Sequence, residues 1–100
     1  MPQAPELLAP DTLAQRLATL GPWQVLSDPP RLVRRFEHSD FAQAFGFMAE
    51  MAVVSERMNH HPEWFNVYHR VDVTLTTHSA QGLTQLDIAL AKKMDEIAGT

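Results

Sequence analysis

Along the chain the spacing of apolar residues switches from helical to alternating and back, twice, and this succession of periods gives the expected order of elements. Leu13, Leu17 and Leu20 recur at helical spacing after Asp11, a candidate N-cap, and Gly21-Pro22 stops that first helix. Trp23 to Leu26 and Leu32 to Glu37 read as two short strands around the turn Ser27-Asp28-Pro29-Pro30. Ser39 or Asp40 then caps a second helix. Its stripe Phe41, Phe45, Met48, Ala52 and Ser55, widened by Phe47, Met51 and Val54, is assigned to the core. The helix must end near Asn59, because Pro62 disfavours helical dihedrals at His61.

From Trp64 to His78 the period becomes two, with Val71, Val73, Leu75 and Thr77 on one face and Asp72, Thr74, Thr76 and His78 on the other. A tight turn is needed inside this stretch, and His69-Arg70 is the expected site. Thr84 opens a final helix carrying Leu86, Leu90, Met94 and Ile97 toward the core and ending at Gly99. The expectation is an α+β domain: a four-stranded antiparallel sheet with helices packed on one face, in the order helix-strand-strand-helix-strand-strand-helix. Residues 1–9, rich in Pro and Ala, are expected to be a flexible N-terminus, and residues 10–100 a single domain.

Composition narrows the function. With 100 residues, 45% of them hydrophobic, the chain holds one modest core, which makes a homo-oligomer, dimer or tetramer, a reasonable expectation. A net charge of -4 without a basic block argues against nucleic acid. There is no cysteine, hence no disulfide, thiolate zinc site or cysteine nucleophile. No apolar run reaches the roughly 18 residues of a membrane span, and no secretory signal pattern opens the chain, so a cytoplasmic protein away from membranes is expected.

The candidate chemistry lies in histidines. His60 and His61 stand at the helix-to-strand junction and His78 closes the alternating segment. A two-residue loop at His69-Arg70 would oppose Tyr68 to Val71, Asn66 to Val73 and Trp64 to Leu75, and would bring His61 near His78. Imidazole exchanges protons near neutrality, with an ordinary pKa of about 6.5, so three converging rings point to acid/base work. Glu56 lies one helical turn before His60 and is placed to orient a ring; Trp64 and Pro62 are candidates to wall a cavity for a flat ligand. The plainer readings stand beside these. His60 and His61 suit a helix C-terminus, and Asp87, three after Thr84, completes a capping box. Zinc is disfavoured, because adjacent histidines in extended chain point apart. His38 and His69 read as surface or turn residues.

Taken together, Glu56, the run His60-His61-Pro62-Glu63-Trp64, Asn66, Tyr68, Val71, Thr77-His78, Gly82-Leu83-Thr84 and Asp87 resemble the pterin-4a-carbinolamine dehydratase family, whose animal members double as dimerisation cofactors of a homeodomain transcription factor. The resemblance covers roughly residues 10 to 98. It implies a hydro-lyase that takes water from 4a-hydroxytetrahydrobiopterin to give quinonoid dihydropterin, in recycling after an aromatic amino acid hydroxylase, with no metal or organic cofactor. By motif position it implies His60 and His78 as the acid/base pair and His61 as a pterin-binding residue that shares in proton transfer. Glu56 would orient the histidines, Trp64 would flank the ring, and Asp87 would hold His78 or substrate at the pocket edge, so that Asp87→Ala is expected to cost less than His61→Ala. His69, where the family usually has Asn, and the loop Ser79-Ala80-Gln81 depart from its pattern. The alternatives are a pterin-binding or protein-interaction module without catalysis, and a dehydratase-like protein of molybdopterin metabolism.

Overall fold

The structure, a computed structural model, describes residues 5–99. Helix α1 is Pro10–Leu17, and its N-cap is Ala9, without a side-chain cap bond. Pro10 takes the first helical position, where its missing N–H costs nothing and its fixed φ suits the helix. Asp11, the expected cap, therefore lies inside the first turn, its carboxylate near the positive end of the helix. The preceding chain is anchored from Leu7 on: Leu7 bridges Thr84, the Leu8 N–H donates to the Leu83 carbonyl at 3.0 Å, and Leu8 packs on the core. The flexibility expected of residues 1–4 lies outside the described residues.

Strands β1, Gln24–Leu26, and β2, Arg31–Glu37, form the expected hairpin, with Val25 opposite Leu32. Helix α2, Phe41–Met58, begins on Asp40, whose side chain accepts from the Gln43 N–H at 2.8 Å. It buries Ala44, Phe47, Met51 and Ser55. The expected core stripe is corrected here: Phe41 and Phe45 are 50% and 58% exposed, while Met48 and Val54 pack only at the core margin. The helix is apolar on two stripes, and periodicity alone does not say which one meets the sheet.

Strands β3, Glu63–Val67, and β4, Arg70–Leu75, make the second hairpin, and the sheet order is β1-β2-β4-β3 with every neighbour antiparallel. The turn falls one residue earlier than expected, at Tyr68-His69, with Tyr68 at φ 49°. Trp64 faces Val73 and Asn66 faces Val71. Each β3 residue thus meets a β4 residue two positions before the expected one, which leaves the in/out alternation unchanged. Asn66 fixes this turn by donating from Nδ2 to the carbonyls of Tyr68 at 3.2 Å and Arg70 at 2.9 Å.

After β4 a 3₁₀ turn, His78–Ala80, leads through Gln81 at φ 59° to helix α3, Gln85–Ala98, which Thr84 caps and Gly99 closes at φ 83°. The core forms where the inward residues Leu32, Phe36, Val71, Val73 and Leu75 of the sheet meet Phe47 and Met51 of α2 and Leu90 and Met94 of α3. Shortening any of the fully buried ones to Ala costs about 2–5 kcal/mol. A second tie holds the turn before β1 to α3: buried Asp95 accepts from Trp23 Nε1 at 2.8 Å and from the Gly21 N–H at 2.8 Å, and pairs with Arg34 of β2, whose guanidinium lies over the Phe36 ring. Among the described residues no helix is long and apolar enough to cross a membrane.

Candidate active site

The way α2 ends decides where the histidines go. Asn59 takes the left-handed conformation at φ 51°, its N–H donates to the Glu56 carbonyl at 3.2 Å, and the His60 N–H reaches back to the Ser55 carbonyl at 3.1 Å. These are the paired bonds of a Schellman ending, and they turn the chain out of the helix at His60. Extended backbone then sends successive side chains to opposite sides. His60 points inward, its side chain 9% exposed, and bonds Asp87 through Nε2 at 2.7 Å. His61 points outward, 55% exposed, and bonds Glu56 through Nε2 at 2.8 Å.

His78 arrives from the 3₁₀ turn, exposed, with Nε2 on Glu63 Oε2 at 2.8 Å. All three imidazoles line one open cleft of about 470 Å³, together with Thr76, Thr77 and Leu86. Each ring is held by a carboxylate at Nε2. A neutral ring with its proton on Nε2 keeps Nδ1 as an acceptor, so such an arrangement offers three orientable proton carriers to one ligand-sized space.

Beneath the cleft lies Asp87, with no exposure at all. Its Oδ1 takes the His60 bond, and its Oδ2 accepts from Thr77 Oγ1 at 2.7 Å and from the Thr84 N–H at 2.9 Å. The capping box and the histidine therefore share one carboxylate. Among the described residues no group of three or more His, Asp or Glu side chains is arranged to hold a metal ion.

Comparison with known proteins decides the family. The family model described as "Pterin 4 alpha carbinolamine dehydratase" matches residues 6–97. The chain belongs to the pterin-4a-carbinolamine dehydratase family. A Sinorhizobium fredii protein provisionally named a pterin-4-alpha-carbinolamine dehydratase is 48% identical over 94 residues, covering 94% of this chain and 90% of the relative. A Brucella ovis protein with the same name is 49% identical over 92 residues, 92% of this chain and 95% of its own length. Among solved structures, a transcriptional coactivator/pterin dehydratase from Brucella melitensis superposes with a TM-score of 0.88 at 49% identity, covering 92% of this chain and 98% of that one. A pterin dehydratase-like protein identified as a RuBisCO assembly factor in the alpha-carboxysome gives 0.70 at 29% identity over 78% of this chain and 90% of that one. The activity is that of a pterin-4a-carbinolamine dehydratase, a hydro-lyase.

Within this dehydratase the residues singled out from the sequence do not all meet. His60, His61 and His78 share the cleft, and Glu56 stands beside it on His61, not on His60, the ring one helical turn away. Asp87 is under His60 and does not hold His78 or lie at an open pocket edge. Trp64 is half-buried against the core, and neither it nor Pro62 lines the cleft. Sequence reasoning left two participants without a role. Glu63 was legible only as part of the His-His-Pro-Glu run, since its partner His78 comes from across the hairpin. Thr77 was legible only as the neighbour of His78 in the Thr77-His78 pair, as a β-branched residue in an alternating segment is ordinary.

Proposed function

We propose that the chain dehydrates 4a-hydroxytetrahydrobiopterin to quinonoid dihydropterin by imidazole acid/base catalysis, in the cytoplasm and in support of an aromatic amino acid hydroxylase. The observation that carries this is the set of three histidines around one cleft, each paired with its own carboxylate through Nε2. The reaction breaks the C4a–O bond, so the departing hydroxyl needs a proton to leave as water, and N5 must release one as the C4a=N5 bond forms. One ring gives a proton and another takes one, and the sum is substrate to product plus water. His60 and His78 are the pair for these transfers; His61, exposed at the mouth beside Glu56, binds the pterin and shares in the exchange.

Self-association belongs to the same reading. β3 is an edge strand, Phe65, Val67 and Tyr68 are exposed on it or at its end, and Phe41 and Phe45 are exposed on α2, which are surfaces a second copy would cover.

Stopped-flow absorbance of freshly generated 4a-carbinolamine tests the proposal, with the purified protein, its His61→Ala and His78→Ala variants, and no added metal. Acceleration that falls in both variants is expected. A folded protein that does not accelerate the decay over buffer would instead be a pterin-binding or protein-interaction module.

A further inference from the structure

The buried side of the cleft contains a hydrogen-bonded row whose outer members have no part in the chemistry described so far. Asp87 is an acceptor only, and its oxygens are filled by three donors: His60 Nε2, Thr77 Oγ1 and the Thr84 N–H. Thr77 has a single hydroxyl proton and gives it to Asp87. The 2.7 Å contact between Thr77 Oγ1 and Thr84 Oγ1 must then run from Thr84 to Thr77. Thr84 Oγ1 in turn accepts from the Leu86 N–H at 3.2 Å, as the cap of α3. The direction of every proton in the row follows, Thr84 to Thr77 to Asp87, with His60 donating from the other side. Thr77 is 4% exposed, and Thr84 and Asp87 are fully buried, so no water competes for these bonds.

We propose that Thr77 is a positioning residue for His60, acting through Asp87, and that it fixes His60 as the Nε2–H tautomer so that Nδ1 is the ring atom that exchanges protons with substrate. Without the Thr77 hydroxyl, Asp87 Oδ2 keeps only the Thr84 N–H, and the carboxylate is free to rotate away from the imidazole. Nδ1 is placed for that exchange, since no described residue bonds it and it is not among the buried side-chain atoms that lack a partner, so it opens on the cleft that His60 lines. Thr77 also immediately precedes His78 and is pinned by its own backbone, its N–H donating to the Gly82 carbonyl at 2.9 Å. The hydroxyl therefore comes from a fixed point of the chain, which is what orientation of a second group requires.

This inference rests on the dehydratase reading for its kinetic half only, and the test separates the two. The ring nitrogens of ¹⁵N-labelled protein are read by long-range ¹⁵N–¹H correlation above the ordinary imidazole range, in the wild type, Thr77→Ser and Thr77→Val, and turnover is measured on the same samples. His60 is expected as a single Nε2–H tautomer in the wild type and Thr77→Ser. In Thr77→Val that signature is lost, His78 resonances stay in place, and kcat falls ~10-fold or more with KM little changed, as for other partners that orient a catalytic imidazole. Thr77→Ser restores most of the rate. A wild-type His60 protonated on Nδ1 overturns the proposal whether or not Thr77→Val folds, and so does a folded Thr77→Val with wild-type kcat and tautomer. The expected tautomers in a protein without turnover would uphold the positioning row and remove the reaction from it.

Discussion

Replacing Asp95 by Ala removes the acceptor that ties three parts of the molecule together. The aspartate is 5% exposed and serves Arg34, Trp23 Nε1 and the Gly21 N–H at once. Taking one partner from a buried ion pair costs about 3–5 kcal/mol, because the remaining charge keeps its desolvation and loses what that partner supplied. An orphaned indole N–H adds about 1–3 kcal/mol. These terms share atoms and do not add fully, so the expected loss is about 4–6 kcal/mol. For a domain of this size each kcal/mol moves Tm by about 4–8 °C, which puts the drop at roughly 15 °C or more. Urea unfolding followed by tryptophan fluorescence, at one fixed protein concentration, measures it. Refilling the site with apolar volume, Arg34→Met with Asp95→Leu, is expected to recover most of the loss. A loss below about 1 kcal/mol for Asp95→Ala, with an unchanged m-value, would refute the reasoning.

Other perturbations separate chemistry from structure. His61→Ala is expected to raise KM and lower kcat within the ~10²–10⁴-fold typical of one positioned acid or base, in stopped-flow turnover. Asp87→Ala, which the sequence ranked as milder, is now expected to cost as much as loss of His60, since it strands three buried donors. Asn59→Ala removes the short polar side chain that makes the left-handed region tolerable for a Cβ-bearing residue and is expected to cost about 1 kcal/mol in chemical denaturation, Asn59→Gly nothing or less. His38 supplies a pH dependence. Burial, and then the charge of His69, lowers its pKa from the ordinary 6.5, so the unfolded chain binds the proton more readily. Stability is then full above the ordinary value and declines as pH falls below it; denaturation curves between about pH 5 and 8 should flatten in His38→Phe. Phe45→Glu together with Phe65→Lys should reduce the mass in multi-angle light scattering if these faces join copies of the chain.

Much of the fold was legible because strong local signals agreed. Pro62 ended α2 where expected, Thr84 and Asp87 formed their capping box, and the alternation through Val71, Val73 and Leu75 fixed the buried face of β4. Errors arose where two answers satisfy the same pattern. Phe41 and Phe45 recur as regularly as Phe47 and Met51, and only the tertiary contact chooses between the stripes. The Tyr68-His69 turn lacks Gly or Asn within it, and the signal that places it is Asn66, whose side chain bonds carbonyls on both sides of the loop. Of His38 and His69, read as surface or turn residues, His69 does lie in the turn, yet both are half-buried, with His38 Nε2 and His69 Nδ1 sealed from solvent. For the site, the convergence of His60, His61 and His78 on one cleft was legible, but the carboxylate that each ring meets was not. Glu56 was legible as a carboxylate that orients a ring from the helix end, and the Schellman ending chooses which ring by turning His60 away and presenting His61.

That same ending makes chain length a heritable constraint. His60 faces Asp87 and His61 faces Glu56 only because each stands a fixed number of peptide units past Asn59. Deleting or inserting a single residue between Asn59 and Glu63 would exchange an inward ring for an outward one while leaving the composition of the motif intact. A change in the count of residues inside the segment would dismantle the site even with every residue type retained.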